Sequence, residues 1–381
     1  MRSQNLSSDR ALWLAWSHLP GIGALLLPRL KKHFGSLAVA WEATAAELMA
    51  VEGVGPTIAE AVVSERRQID PEQLLQQHEQ QNSHFWTPAD AVYPQLLSEI
   101  PDFPSVLYYR GQVNLAEAAG QKTLVGIVGT RSPSEYGRRW TRRLVKALVA
   151  QEITVVSGLA AGIDTEAHRS CLEAGGRTVA VLGTGVDQVY PWSNRSLYQE
   201  LVKQGLAVSE YSAGTPPDRV HFPRRNRIIA GLCQAILVIE APAKSGALIT
   251  AHLANDYGRD VYALPGSLDH PNSLGCLNLI NQGAQIILGE DALLEALGQL
   301  PSLARSNQPQ SPPPPLNLSL EEGAILYTLE TLSQELSLEA LPFDNIVQRS
   351  QLPASVVSST LLQLELMGLV IQHPGMRYQR S

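Results

Sequence analysis

Cysteine is scarce in this chain. Its three cysteines, Cys171, Cys233 and Cys276, are far apart and odd in number. They offer neither a disulfide framework nor the paired spacing of a zinc site, so three reduced thiols in a cytosolic protein are expected. Long apolar runs are also missing. No segment reaches the roughly 20 apolar residues that a membrane-spanning helix requires, and the polar start from Met1 to Arg10 lacks the apolar stretch of a secretory signal. No membrane association and a cytoplasmic location are therefore expected. The common nucleotide fingerprints are absent as well. There is no G-K-[ST] for a P-loop. Gly126-Ile127-Val128-Gly129 spaces its glycines wrongly for G-x-G-x-x-G, and no acidic residue closes the second strand.

A general excess of positive charge is also lacking. With 29 Lys and Arg against 36 Asp and Glu, the net charge is −7, which weighs against indiscriminate binding of polyanions. The distribution says more. Residues 121–290 carry 17 basic against 14 acidic side chains, whereas residues 1–111 carry 8 against 12 and residues 316–381 carry 3 against 7. A basic centre between acidic flanks fits a nucleic-acid site confined to one face.

The basic charge concentrates in Phe222-Pro223-Arg224-Arg225-Asn226-Arg227, where a helix is expected to start with Pro223 at an early position inside it and Gly231 closing it. Ala235 to Ile239 follows as a short, continuous apolar strand, and Lys244-Ser245-Gly246-Ala247-Leu248-Ile249-Thr250 as a small-residue loop opening another helix. Upstream, strands are expected near 124–128, 153–156, 178–182 and 207–209, with helices near 134–150, 163–174 and 195–203 between them. Downstream lie a helix at 247–257, a strand at 261–264 and a late strand at 284–288. Repeated β-α units of this size predict an α/β, Rossmann-like, doubly wound parallel sheet.

Three loops at successive strand ends share small residues: Val128-Gly129-Thr130-Arg131, Ser157-Gly158-Leu159-Ala160, and Ser245-Gly246 through Thr250. Glycine lets the backbone approach a phosphate, and arginine adds a fork of donors. The plain alternative is that these glycines only serve tight β-α turns, but the coincidence with Arg131 and the 224–227 cluster favours a polyanion. Lys244 is either a solvated lysine or a further phosphate contact. Phe222 is either a base-stacking ring or a core residue. Asp164 and His168, four apart, share a helix face. They are either two metal ligands, a general-base pair or structural groups; no third ligand of matching spacing and no nearby nucleophile accompanies them, so Asp164 is expected to cap its helix and His168 to pack as a hydrogen-bonding group.

Around this centre the chain divides into a helical, helix-hairpin-helix-like (or SAM-like) domain at 1–75, a connecting segment at 76–118, the Rossmann-like domain at 119–298, a proline-rich linker at 299–317 and a winged helix at 318–381. The first domain repeats Gly-apolar-Gly at Gly21-Ile22-Gly23 and Gly53-Val54-Gly55. Such turns either place amides on a DNA phosphate or simply allow tight αα corners, and Pro28 is expected to kink the helix after the first. The third winged-helix segment carries Ser355, Ser358, Ser359, Gln363 and Glu365 but no Lys or Arg. Phosphate neutralisation dominates DNA affinity, so that module is expected to contact protein or regulate the centre.

The motifs VGTRSPSEYG, SGLAAGIDTEAH, FPRRNRIIAGL and VIEAPAKSGALITA, with GRDVYALPGS beyond them, together resemble the DNA-processing family called DprA or Smf, in its longer form. That resemblance implies a cytosolic homodimer that binds single-stranded DNA, protects it during natural transformation and loads the RecA recombinase onto it. Neither a cofactor nor a metal is implied, and no catalytic residue. The family pattern assigns phosphate-cradling roles to Gly129, Thr130, Arg131, Ser157, Gly158 and Ala160. It places Phe222, Pro223, Arg225, Asn226 and Arg227 on its FPxRNR motif, with Lys244 at a basic position. A nucleotide-processing enzyme is the alternative, because the fold also resembles lysine-decarboxylase-like phosphoribohydrolases, but the carboxylate of their late-strand motif is missing here. A transcriptional regulator acting through the winged helix is a third reading, disfavoured by the uncharged recognition helix.

Overall fold

The computed structural model of the chain describes residues 2–82, 84–298, 319–336, 341–366, 369–373 and 376–380. It divides into two compact units, residues 1–307 and 308–381. The expected linker at 299–317 lies outside the described residues.

The first unit is built on a nine-stranded sheet. Its strands are β1 (Phe85–Trp86), β2 (Leu107–Gly111), β3 (Leu124–Val128), β4 (Thr154–Ser157), β5 (Thr178–Leu182), β6 (Leu206–Ser209), β7 (Ala235–Val238), β8 (Asp260–Ala263) and β9 (Gln285–Ile286), in the order β1-β2-β6-β5-β4-β3-β7-β8-β9. From β6 to β9 every pairing is parallel. All residues of β3 through β7 are buried, as expected for strands covered by helices on both faces. Side chains alternate between two cores. Val125 and Ile127 join Val155, Leu144 and Leu148 under the helices Glu135–Ala150 and Ile163–Glu173. Leu124 and Val128 join Val156, Ile228 and Ile229 under the helix His221–Leu232 on the opposite face.

Segment 76–118, expected to connect the domains and to lay a strand at 106–109 along the edge of the next one, does so and adds the short β1. Its aromatic run extends the sheet, with β2 pairing antiparallel to β6 and β1 to β2, so the outer edge of β6 is covered rather than exposed. Several expectations need correction. The boundary expected at 75 falls inside the helix Pro71–Gln81. The helix expected around Pro223 begins at His221. There the Asp218 carboxylate and carbonyl accept the amides of Val220 and His221, and Pro223 sits in the first turn, where a missing N–H costs nothing. Gly231 does not close this helix. It lies inside, where a Cβ would meet Leu97 at 2.8 Å and Ile100 at 2.9 Å.

In the helical region, Pro28 occupies the first turn of the helix Leu26–Phe34 and so does not interrupt its hydrogen bonds. The two glycine turns pack reciprocally: Gly21 faces Ile58 at the start of the second helix, and Gly53 faces Leu26 at the start of the first.

The second unit has the winged-helix order. Helices Leu320–Leu336, Phe343–Ser350 and Ala354–Leu366 precede β11 (Val370–His373) and β12 (Arg377–Arg380), and a short β10 (Leu341–Pro342), not expected from sequence, pairs with β12. The turn expected at Pro374-Gly375 lies outside the described residues. Ile325, Leu329, Ile346, Val357, Leu361 and Tyr378 form its core. Ser355, Ser358, Ser359, Leu362 and Gln363 on the third helix face solvent, without a cation among them.

Candidate nucleic-acid interface

The loops that leave the carboxyl ends of β3, β4 and β7 bound a groove of about 700 Å³. It lies where strand order reverses around β3, the position at which open α/β sheets take ligands. Of the residues singled out from sequence, Gly129, Thr130, Arg131, Ala160, Phe222, Pro223, Arg225, Asn226, Ser245, Gly246 and Thr250 line it. Among the described residues, Ser157, Gly158, Arg224, Arg227 and Lys244 do not. Tyr190, Arg219 and Pro242 line it too and were missed. Each lies in a loop with no local periodicity to flag it.

The three small-residue loops differ in what they present. The amide of Thr130 is spent on the Glu240 carbonyl at 2.7 Å, and the Thr130 carbonyl accepts the Ile163 amide. The amides of Gly158 and Ala160 donate to Asp164 Oδ2 at 3.1 and 3.4 Å, and the Ser157 hydroxyl donates to the Ile127 carbonyl. The amides of Thr130, Gly158 and Ala160 are therefore already occupied within the protein. Gly162, at a φ of 87°, makes this possible, since a Cβ there would collide with the Thr130 carbonyl. The β7 loop is different. Ser245 caps the helix Gly246–Asp256, whose positive end faces the groove. Asn226 Nδ2 donates to the Gly246 carbonyl at 3.3 Å, tying the arginine-bearing helix to this turn.

The arginines of the cluster do three separate jobs. Arg225 is a buried peg, 4% exposed. Its Nη1 donates to the Gly158 carbonyl at 2.6 Å and also to the Val181 carbonyl, fixing the ends of β4 and β5 to the helix. Gly158 is required here, because a Cβ would lie 2.5 Å from the guanidinium. Arg227 points elsewhere. It pairs with Glu210 at 2.7 Å and Asp102 at 3.3 Å, away from the groove. The expected groove-lining role of Arg227 is thus not what its contacts provide. Arg224 is exposed, as are Arg131, Arg219 and Lys244. Arg131 lies over the Phe222 ring at 5.8 Å, and Phe222 in turn is tilted against Tyr190 at 5.3 Å.

The family model for DNA recombination-mediator protein A matches residues 84–298, and that for the DprA winged helix domain matches residues 309–376. The chain belongs to the DNA recombination-mediator protein A family. Protein Smf of Synechocystis sp. is 47% identical, over 98% of this chain and 99% of the relative. The solved structure of DNA processing protein A (DprA) from Streptococcus pneumoniae has a TM-score of 0.63 at 33% identity, over 78% of this chain and 97% of that one. DNA processing protein A from Helicobacter pylori, whose structure was described for its single-stranded DNA binding mode, has a TM-score of 0.50 at 29% identity, over 56% of this chain and 95% of that one.

In this DprA-family groove the floor is a buried polar cluster. Asp164 is not a helix cap. It sits in the first turn and reaches back to the β4 loop. Burial pushes its carboxyl up to about 6, against the pull of Arg225 and the loop amides. His168 bonds Thr178 Oγ1 through Nδ1 at 2.7 Å, while its Nε2 has no partner. Burial and Arg225 push the imidazole down to about 3.

The two groups act oppositely on acidification. Asp164, raised, contributes stability that is full below its unfolded value near 4 and lost as pH rises through about 6. His168, depressed, contributes stability present above about 6.5 and lost as pH falls toward 3. Between pH 6 and 4, proton uptake by Asp164 therefore offsets part of the loss from His168. Asp164→Asn is expected to lose stability more steeply than wild type as pH falls from 7 to about 4.5, measured as urea midpoints. Parallel midpoint-versus-pH curves would show that Asp164 does not titrate in this window.

Proposed function

We propose that this chain is a non-catalytic mediator that holds single-stranded DNA along the central groove and delivers it to a RecA-type recombinase. It acts as a cytosolic homodimer and protects incoming strands during natural transformation. The observation carrying this reading is the groove itself, where exposed Arg131 and Arg219 and the positive end of the helix Gly246–Asp256 surround a half-buried aromatic, Phe222. Cations and a helix N-terminus suit phosphates, and an aromatic wall suits unpaired bases. The H. pylori relative's described single-stranded DNA binding mode and membership of a recombination-mediator family support the strand-binding and mediator parts of this reading. Two carboxylates at the loops, Asp164 and Glu240, are engaged in structural bonds, which favours binding over acid-base chemistry. Asp164 accepts two amides, and Glu240 accepts the Ser134 amide at 2.8 Å and its hydroxyl at 2.5 Å.

The test is a strand-preference and loading assay. Labelled single strand is expected to bind more tightly than the matching duplex, and prebound protein is expected to shorten the lag of recombinase filament assembly. Equal affinity for the duplex, an unchanged lag, or turnover of nucleoside monophosphates would each count against this reading, the last in favour of a phosphoribohydrolase.

A further inference from the structure

A solvent-facing aromatic step stands beside the groove, and neither the fold nor the phosphate-binding chemistry requires it. Trp192 is 68% exposed and Tyr190 45%. Of the other tryptophans, Trp13, Trp16 and Trp86 are buried, and Trp41 and Trp140 are half-buried. A largely exposed indole forgoes the apolar burial that usually draws tryptophan into a core. The segment that bears it is held firmly. Buried Asn194 donates to the Leu159 carbonyl at 2.9 Å and to Thr165 Oγ1 at 2.8 Å. Thr184 Oγ1 donates to the Gln188 carbonyl at 2.6 Å, and the Gly185 amide to the Thr215 carbonyl at 3.0 Å. The step is thus anchored at both ends and presents its rings outward.

Its surroundings identify the occupant. Tyr190 lines the groove and lies against Phe222, which carries Arg131. Two residues on, Trp192 carries the guanidinium of exposed Arg195 at 4.6 Å from the ring centroid. The sequence of features is cation, ring, ring, then ring and cation again. A row of rings flanked by cations suits a polymer that carries planar bases on a phosphate backbone, and preorganised rings bind with little ordering cost.

We infer that Tyr190 and Trp192 form a base-stacking platform that receives nucleotides of the single strand as they leave the groove, with Arg195 meeting the next phosphate. This rests on the single-strand reading above. Stacking is insensitive to salt, whereas phosphate contacts are not, so the two contributions separate experimentally.

The full chain is titrated with an oligothymidylate and with an abasic deoxyribose-phosphate oligomer of the same length. Wild type is expected to prefer the oligothymidylate. Trp192→Ala is expected to weaken oligothymidylate binding by about fivefold or more, to leave abasic binding and the salt slope unchanged, and to be largely rescued in Trp192→Phe. Wild-type tryptophan emission is expected to quench on oligothymidylate addition, and Trp192→Phe to lose most of that quenching. Equal loss on both oligomers, no loss on either, or no wild-type preference for bases would overturn the platform while leaving the groove intact. If wild type binds neither oligomer, the single-strand reading fails and the platform with it.

Discussion

Arg225→Ala is expected to destabilise the first unit by about 3–5 kcal/mol, the range for breaking a buried charge cluster by removing one partner, and to abolish single-strand binding at temperatures where wild type binds. The reason is the position of the guanidinium. It donates to the Gly158 and Val181 carbonyls, and both buried acceptors lose that bond. Its charge also opposes desolvation of the Asp164 carboxyl, so its loss pushes Asp164 further toward the neutral form. Burial already holds the Arg225 guanidinium down, to about 10, leaving it charged at neutral pH. Arg225→Lys retains charge but cannot bridge two carbonyls with one planar fork, and is expected to recover only part of the loss. A urea midpoint within experimental error of wild type for Arg225→Ala would mean that the peg is dispensable.

The second large effect is electrostatic. The triple substitution Arg131→Ala, Arg224→Ala and Lys244→Ala removes three solvent-exposed cations from the loops and helix around the groove. If each neutralises one phosphate, the slope of log affinity against log salt is expected to shrink by about 2, at about 0.7 per single-strand phosphate. Stability should change little, because exposed cations contribute little to folding. Arg227→Ala is the informative control. Its partners Glu210 and Asp102 lie off the groove, so it is expected to lower stability and leave the slope alone. The same slope in the triple variant and wild type would remove these cations from the interface.

The pattern of strands was legible in the sequence because fully covered parallel strands leave short, unbroken apolar runs, as at Thr178–Leu182 and Ala235–Val238. The groove was legible because its loops combine glycine with cations at strand ends. What was not legible was the division of labour within Arg224, Arg225 and Arg227. Consecutive helical residues turn by about 100°, so Arg225 and Arg227 project to nearly opposite sides, but the sequence does not say what waits there. Arg225 meets carbonyls of β5 and the β4 loop, and Arg227 meets Asp102, all distant in the chain. Asp164 was misread for the same reason. A carboxylate at a helix start can cap that helix or brace the preceding loop, and the choice depends on a turn made possible by Gly162. In segment 76–118 the apolar run before Gly111 reads as a strand, whereas β1 does not, because it is only two residues long and is fixed by pairing with β2 about twenty residues on.

The central claim is that the strand lies in the groove of the first unit, not on the winged helix or the glycine turns. Crosslinking of a single strand with photoreactive bases, followed by peptide mapping, tests it most directly. Adducts are expected within residues 129–131, 190–195, 219–226 and 244–250. Adducts concentrated in residues 19–29, 51–60 or 341–380, with none around the groove, would contradict it.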